Sequence, residues 1–274
     1  MSVEQGIQDL ETAAQEITAH TEPKLHSPID RADVARMFGQ EAPRPIDATY
    51  RVIEKQREAV MADPQLAKLL GRYADVLTSQ NVEEAIRNGL LTYTMYKPNL
   101  GKATIRKQYL PEEDEVFLVD KWGRQFENEG CRVISPVSTV MTPETYEAFY
   151  AGNKERQLGI KVEKFPPYTE TPESPEERTL FEQVKRVILS GPITPGIVHS
   201  ENENTIQGWR KILGPSNPNK DRNDPRFAGS FRSLNAADSS NTLIHGSGSI
   251  EEAIAETQWY AQRILDLIGA GRQV

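Results

Sequence analysis

Residues 241–249 read Asn-Thr-Leu-Ile-His-Gly-Ser-Gly-Ser, and a helical pattern opens directly after them at Ile250. β-Favouring residues run into His245, and the small residues that follow form a turn. A histidine at the end of such a strand has neighbours small enough to let a bulky anion reach its ring. The free N–H groups at the start of the following helix also favour negative charge. The stretch therefore predicts a strand–turn–helix unit suited to nucleophilic attack on a phosphoryl group.

An alternation of strands and helices extends from this unit back to residue 90. The sequence predicts strands at 91–96, 132–140 and 193–198, and helices at 115–129, from Thr142 through Tyr150, at 177–188 and from Asn204 to Leu213. Polar segments at 151–176 and 214–240 are predicted to be irregular. This order predicts an α+β fold, namely a ferredoxin-like antiparallel sheet covered by helices, in a domain spanning residues 86–274.

Residues 1–85 are predicted to form a helical and polar N-terminal extension. Apolar residues recur at helical spacing between Ile7 and Ile17, and a further helix is predicted at about 49–61. Asp63-Pro64 then supplies an N-cap and a first-turn proline for a second helix. Nothing in this extension has the residue types or spacing of a catalytic or metal-binding motif.

Composition limits the classes of function and partner. The 274 residues carry a net charge of −8, which opposes a nucleic-acid-coating role because that role needs a dominant basic face. The single cysteine, Cys131, indicates a reducing compartment. No apolar run approaches the roughly 18 residues that span a bilayer. We therefore expect a cytoplasmic protein that binds neither nucleic acid nor membrane.

Four separated motifs resemble those of nucleoside diphosphate kinases, in the same order. Residues 96–99 (Tyr-Lys-Pro-Asn) resemble that family's Lys-Pro-Asp, and 190–192 (Ser-Gly-Pro) resemble the motif that opens its central strand. Residues 208–218 resemble its Gly-Arg-x-x-x-Gly-x-Thr-Asn-Pro segment. Residues 244–249 resemble its Ile-His-Gly-Ser-Asp-Ser strand, and Glu256 follows His245 at the family's spacing of eleven residues.

The resemblance implies a magnesium-dependent, ping-pong phosphotransferase. A histidine takes the γ-phosphoryl group of ATP or another nucleoside triphosphate and passes it to a nucleoside diphosphate. The metal is expected on the nucleotide phosphates rather than on protein ligands, and a homo-oligomer is expected. By position, the catalytic residues are His245, Glu256, Lys97, Tyr150 and Ser247. The nucleotide-binding residues, by the same match, are Lys97, Leu180, Phe181, Arg210, Ser216, Arg226, Asn241 and Thr242.

Three positions depart from the family's pattern. The family has an asparagine three residues before its histidine, whereas this chain has Thr242 there and Asn241 one place earlier. A one-residue shift in a strand turns a side chain to the opposite face, so either a bulge returns Asn241 to the pocket or the Thr242 hydroxyl replaces it. Ala228 holds the place of a phosphate-binding arginine, with Arg226 and Arg232 nearby. Leu180 holds the place of the aromatic residue under the base, next to Phe181, so activity is expected to be weak or selective.

Two other functions remain open on the residues alone. The same fold can serve as a non-catalytic nucleotide-binding or protein-interaction domain, which the three departures favour. It can also serve as a histidine phosphocarrier that needs a protein donor. A nucleophile paired with a glutamate opposes the first of these alternatives, because a binding-only domain does not need it.

Overall fold

The structure is a computed structural model that describes more than half of the chain. It covers residues 3–21, 58, 60–98, 126–127, 129–135, 137, 139–158, 175–191, 193–200, 204–218, 224–236, 238–239 and 242–269. Within these residues, four strands form one antiparallel sheet: β1 (Leu91–Tyr96), β2 (Cys131–Ile134), β3 (Thr194–Ser200) and β4 (Ile244–Gly246). Their spatial order, β4-β1-β3-β2, is that of a ferredoxin-like sheet. The predicted fold class is confirmed.

Helices cover the sheet. Before β1 come α1 (Val3–Thr21), α2 (Pro64–Leu77) and α3 (Gln80–Arg87). Between β2 and β3 come α4 (Pro143–Leu158) and α5 (Pro175–Ile188). After β3 come α6 (Thr205–Leu213), the short α7 (Phe231–Asn235) and, following β4, α8 (Ile250–Leu267). No helix in the part of the chain that the structure describes is long and apolar enough to cross a bilayer.

The register of β1 sends alternate side chains to two separate cores. Met95 lies opposite His245 on β4, and its neighbour Tyr96 lies opposite Ile244. Met95 belongs to one hydrophobic cluster, while Tyr96 and Ile244 belong to the other. Because strand side chains alternate between faces, His245 points to the same face as Met95. The register therefore decides which core surrounds the imidazole.

The core on the Met95 face also contains the N-terminal helices. Leu10 and Ile17 of α1 and Leu70 of α2 are fully buried in the same cluster as Tyr260 and Ile264 of α8. Tyr73 and Tyr260 meet edge to face, with ring centroids 6.3 Å apart. The domain boundary at residue 85 stays a prediction. Residues before and after this position pack into the same hydrophobic core.

Local capping sets several helix starts where the sequence places them. The Asp63 carboxylate accepts hydrogen bonds from the N–H groups of Gln65 and Leu66, which confirms the predicted start of α2. The Asn204 side chain accepts from Gln207 N at the start of α6, and Ser249 Oγ accepts from Glu252 N at the start of α8.

Other predicted elements differ from the structure. The predicted strand 132–140 ends at Ile134, two residues before Pro136, which has no N–H to donate to a ladder. α4 continues to Leu158, into the segment predicted to be irregular, and α7 lies inside the predicted loop 214–240. α3 was not predicted, because its eight residues are too few for a clear helical period. Most of the helices predicted at 49–61 and 115–129 lies outside the described residues.

We expect the extension and the sheet to unfold together. Leu70→Ala removes a fully buried side chain from the shared core and should lower the free energy of unfolding by about 2–5 kcal/mol. Met61, which is 64% exposed, provides the matched control, since Met61→Ala should change stability by less than about 0.5 kcal/mol. Both variants should melt in a single calorimetric transition. A separate early transition in Leu70→Ala would show instead that residues 1–85 form an independent unit.

Candidate active site

His245 lies at the middle of β4, where both its backbone and its ring are held. Thr94 Oγ1 on β1 donates a hydrogen bond to the His245 carbonyl at 2.8 Å. The imidazole Nε2 lies 3.0 Å from Glu256 Oε1 on α8. The Glu256 side chain is fully buried, whereas the His245 side chain keeps 17% of its surface exposed. The ring is therefore fixed from inside the protein but remains reachable from outside.

The Glu256 carboxylate also binds the residue that follows the strand. Ser247 Oγ donates a hydrogen bond to Glu256 Oε2 at 2.6 Å. Since Oε1 faces His245 and is ready to accept the Nε2 proton, the neutral tautomer protonated on Nε2 is favoured. No described residue forms a hydrogen bond with Nδ1. The structure thus brings together three residues that the sequence assigned to catalysis.

Aromatic rings surround the imidazole on its inner side. The ring centroids of Phe149, Tyr93 and Tyr150 lie 5.7, 6.0 and 6.5 Å from that of His245. Burial, with a smaller effect from Glu256, raises the pKa of the Tyr150 phenol above its ordinary value, so this group stays protonated. Tyr150 was predicted here, but Tyr93 and Phe149 were not. The place of Tyr93 could not be found from the sequence alone, because it depends on the register in which Met95, two residues further along β1, pairs with His245.

A strained turn precedes β4 and explains the departure at Thr242. Leu243 has a φ of 66°, which is rare for a residue with a side chain. Ile244 N donates to Thr242 O at 2.7 Å, so these three residues form a γ-turn. The turn directs Thr242 to the pocket, where its Oγ1 accepts a hydrogen bond of 2.6 Å from Lys97 Nζ. The Thr242 hydroxyl therefore contacts the predicted phosphate-binding lysine, and Asn241 lies outside the described residues.

Lys97 is a buried amine at the end of β1. Only 6% of its surface is exposed. Its burial and the nearby positive charge of Arg232 lower the pKa of its ammonium group to about 7, although Asp238 partly opposes the shift. An ammonium held at this cost favours an anion that would restore the charged form. Lys97 thus lies in an environment that favours anion binding.

Arg210 reaches the turn after His245 from α6. Its side chain is exposed, and no described residue forms a hydrogen bond or ion pair with it. A Cβ atom placed on Gly248 would lie 2.8 Å from Arg210 Nη1 and 2.9 Å from Glu252 Oε2. The family's motif has aspartate at this position, so the glycine leaves room for the guanidinium. The Glu252 carboxylate accepts from Gly248 N at 2.5 Å and closes the turn.

The remaining predicted residues divide into those placed elsewhere and those that cannot be located. Ser216 is exposed just after α6. Arg226 is directed away, with 79% of its side chain exposed and its Nε 3.0 Å from the Asp224 carboxylate. Ala228 is exposed in the same turn. Leu180 and Phe181 belong to α5, but their side chains lie outside the described residues.

Arg232 is the most prominent residue that the predicted set of binding residues omits. Its guanidinium donates three hydrogen bonds to backbone carbonyls: Nε at 3.3 Å and Nη2 at 2.6 Å to Ile244 O, and Nη1 at 2.9 Å to Gly214 O. The sequence feature that points to Arg232 is its proximity to Ala228, which holds the place of a phosphate-binding arginine. Its contact with β4 depends on α7, which was not predicted.

The described residues contain no group of three or more histidine, cysteine, aspartate or glutamate side chains that could hold a metal ion. The nearest carboxylates to the imidazole have other partners, since Glu256 binds His245 and Ser247 while Glu252 binds Gly248 N.

Comparisons with known proteins identify relatives of the chain. The model of the family described as nucleoside diphosphate kinase matches residues 111–263, more than half of the chain. The matched range contains His245 and Glu256 and begins after Lys97. The nucleoside diphosphate kinase of Chlorobaculum tepidum is 29% identical over 169 residues, covering 62% of this chain and 91% of that protein. That of Chlorobium limicola is 28% identical with the same coverage.

Solved structures of the same name are also similar. The Aquifex aeolicus nucleoside diphosphate kinase has a TM-score of 0.42 and 22% identity, covering 62% of this chain and 94% of that one. The Pyrobaculum aerophilum protein has a TM-score of 0.41 and 21% identity, with the same coverage.

The lowered pKa of Lys97 predicts a distinctive pH dependence. Between pH 7 and 9 the unfolded chain carries a proton on this amine, whose ordinary pKa is 10.5, while the folded protein has begun to lose it. Unfolding then takes up a proton, so stability should rise with pH by at most about 1.4 kcal/mol per pH unit. Urea denaturation at several pH values measures this slope, and Lys97→Met should remove the lysine's contribution. Equal slopes in the two proteins would contradict the assignment.

Proposed function

The chain belongs to the nucleoside diphosphate kinase family, and on that premise we propose that it transfers the γ-phosphoryl group of a nucleoside triphosphate to a nucleoside diphosphate through His245. One observation carries the proposal: buried Glu256 holds Nε2 of the imidazole and leaves Nδ1 without a hydrogen-bond partner among the described residues. A partly exposed ring held in this way presents one nitrogen as a nucleophile.

The reaction follows in two steps that balance. In the first, the Nδ1 lone pair attacks the γ-phosphorus, a P–N bond forms, and the bond to the bridging oxygen breaks so that the nucleoside diphosphate leaves. The imidazole gains positive character, which the Glu256 carboxylate stabilises through the Nε2 proton. In the second, a terminal phosphate oxygen of another nucleoside diphosphate attacks the phosphohistidine, and the P–N bond breaks. His245 returns to its starting state.

Cations around the histidine suit the charge that gathers in this reaction. Lys97 contacts Thr242 at the turn before His245, and Arg210 reaches Gly248 in the turn after it. Both are proposed to bind phosphate oxygens, with Ser216 at the terminal phosphates. Because phosphoryl transfer relies mainly on positioning and charge stabilisation, these side chains matter more than any further acid or base. Tyr150 stays protonated beside the pocket, and its hydroxyl can donate a hydrogen bond to the nucleotide.

The proposed substrate is the magnesium complex of ATP or another nucleoside triphosphate. Its phosphate oxygens would hold the ion, since the carboxylates beside His245 already bind protein groups. The ion would neutralise charge on the transferred phosphate. The lone free thiol, buried Cys131, is consistent with a proposed cytoplasmic location. Assembly into a homo-oligomer is also proposed, from family membership alone.

The principal alternative is a nucleotide-binding domain without turnover. The alanine at position 228 and the leucine at 180 favour it, since both replace residues that contact nucleotide in the resembling family. The Glu256–His245–Ser247 network opposes it, because binding alone does not require an imidazole fixed at one nitrogen. Transfer of label to the protein from ATP distinguishes the two.

We expect His245 to be phosphorylated by ATP without another protein. Wild-type protein incubated with γ-labelled ATP and Mg²⁺ should gain an acid-labile, alkali-stable label that CDP or GDP removes. His245→Asn should not gain the label, whereas His199→Asn should, because His199 lies on β3 beside Glu11 and outside the pocket. Equal labelling of wild type and His245→Asn would refute the assignment, and label that needs a second protein would favour a phosphocarrier.

The proposed phosphate contact of Arg210 predicts a loss of transfer rate. A hydrogen bond to a charged group contributes about 1.5–3 kcal/mol, so Arg210→Ala should lower kcat/KM for ATP by about 10–100-fold. Lys97→Ala should act in the same direction. Arg87→Ala is the control, since that arginine pairs with Glu83 on α3. Wild-type kinetics in both pocket variants would mean that the nucleotide binds elsewhere.

A further inference from the structure

Arg232 is a buried guanidinium that no described carboxylate pairs with. Only 8% of its surface is exposed, and all three of its hydrogen bonds go to backbone carbonyls, those of Ile244 and Gly214. Burying a charge without a counter-charge costs several kcal/mol in folded proteins. Each Nη atom of an arginine carries two hydrogens, so one on each remains after these bonds. The side chain is thus held firmly and still has donors to offer.

Arg232 has positively charged neighbours, Arg210 and Lys97. Burial and the nearby charge of Arg210 lower the pKa of Arg232 to about 10. Arg232 in turn contributes to the lowered pKa of Lys97, on which Asp238 acts in the opposite direction. Arg232 on α7 therefore lies within electrostatic reach of both Lys97, after β1, and Arg210 on α6. Such mutual repulsion is relieved when a polyanion binds among them.

The two backbone carbonyls that Arg232 contacts belong to two different elements of the proposed site. Ile244 is the residue directly before His245, and Gly214 directly follows α6, the helix that carries Arg210. One guanidinium thus joins the strand of the nucleophile to the helix of the phosphate-binding arginine. Arg226 instead lies against Asp224, and the exposed Ala228 has no charge to offer.

We infer that Arg232 supplies, from beneath the phosphate site, the positive charge that Ala228 cannot supply from the loop. This inference rests on the proposed function, since it places the terminal phosphates of a nucleotide beside His245. Arg232 then determines the preference for nucleotides with more than one phosphate: AMP presents less negative charge to the three cations than ADP does. The charge is built into α7, so the loop at residues 224–229 need not close over the ligand.

The test compares the affinities of ADP and AMP, measured calorimetrically with Mg²⁺ present and without turnover. Arg232→Met should weaken ADP binding by about 10–100-fold, the loss expected for a charged hydrogen bond, and AMP binding by much less. Arg232→Lys should keep most of the preference for ADP. The double variant Ala228→Arg/Arg232→Met should recover part of it, because charge returns from the loop. Arg87→Met should match wild type.

The binding measurements separate a role of Arg232 in phosphate binding from a purely structural role. Wild-type ADP affinity in Arg232→Met, or equal weakening of ADP and AMP, would show that Arg232 only holds the backbone. If Arg232→Met fails to fold, the folded Arg232→Lys decides: a preserved ADP preference supports the inference, and a collapsed preference overturns it. If the wild-type protein binds no nucleotide, the proposed function itself is refuted. Wild type that labels on His245, together with an unaffected Arg232→Met, would overturn this inference alone.

Discussion

The buried carboxylate of Glu256 is the group on which the site depends. It lies on α8, is fully excluded from solvent, and holds His245 Nε2 with one oxygen and Ser247 Oγ with the other. A buried carboxylate is stable only when such donors satisfy both oxygens. The requirement therefore works in both directions: the network orients the imidazole, and the imidazole and hydroxyl allow a charge to remain in the core. Any change that separates β4 from α8 disturbs both.

A second constraint is the local excess of positive charge around Arg232. The chain as a whole carries a net charge of −8, yet buried Arg232 lies within electrostatic reach of two further cations, Lys97 and Arg210. Excess positive charge at this place costs stability in the absence of a ligand. Such a cost is expected of binding sites, where groups are arranged for a ligand rather than for the free protein. The positive φ of Leu243 is a further cost in stability at the same site, since its γ-turn directs Thr242 to Lys97.

The sequence alone predicted the parts of this arrangement that local rules govern. The limits of β1 and the starts of α2, α6 and α8 follow from alternation, capping residues and helical periodicity. The pairing of His245 with Glu256 followed only from the resemblance to the motifs of nucleoside diphosphate kinases. The outcome at Thr242 did not follow, because a positive φ at a leucine has no local signal and is enforced by tertiary contacts. Arg232 was only one of two nearby candidates, since choosing it required the position of α7. Tyr93 and Phe149 required the register between β1 and β4 and the packing of α4.

The N-terminal helices gain a function from where they pack. One face of α8 presents Glu256 to the imidazole, and Tyr260 and Ile264, one and two turns further along, lie in the core that α1 and α2 help to form. Tyr260 is held at both ends of its side chain, by the ring of Tyr73 and by a hydrogen bond from its hydroxyl to Val137 O at 3.0 Å. Because a helix moves as a rigid element, contacts that fix Tyr260 also fix Glu256 four residues earlier. The described helices of the extension therefore support the helix that positions the imidazole of His245.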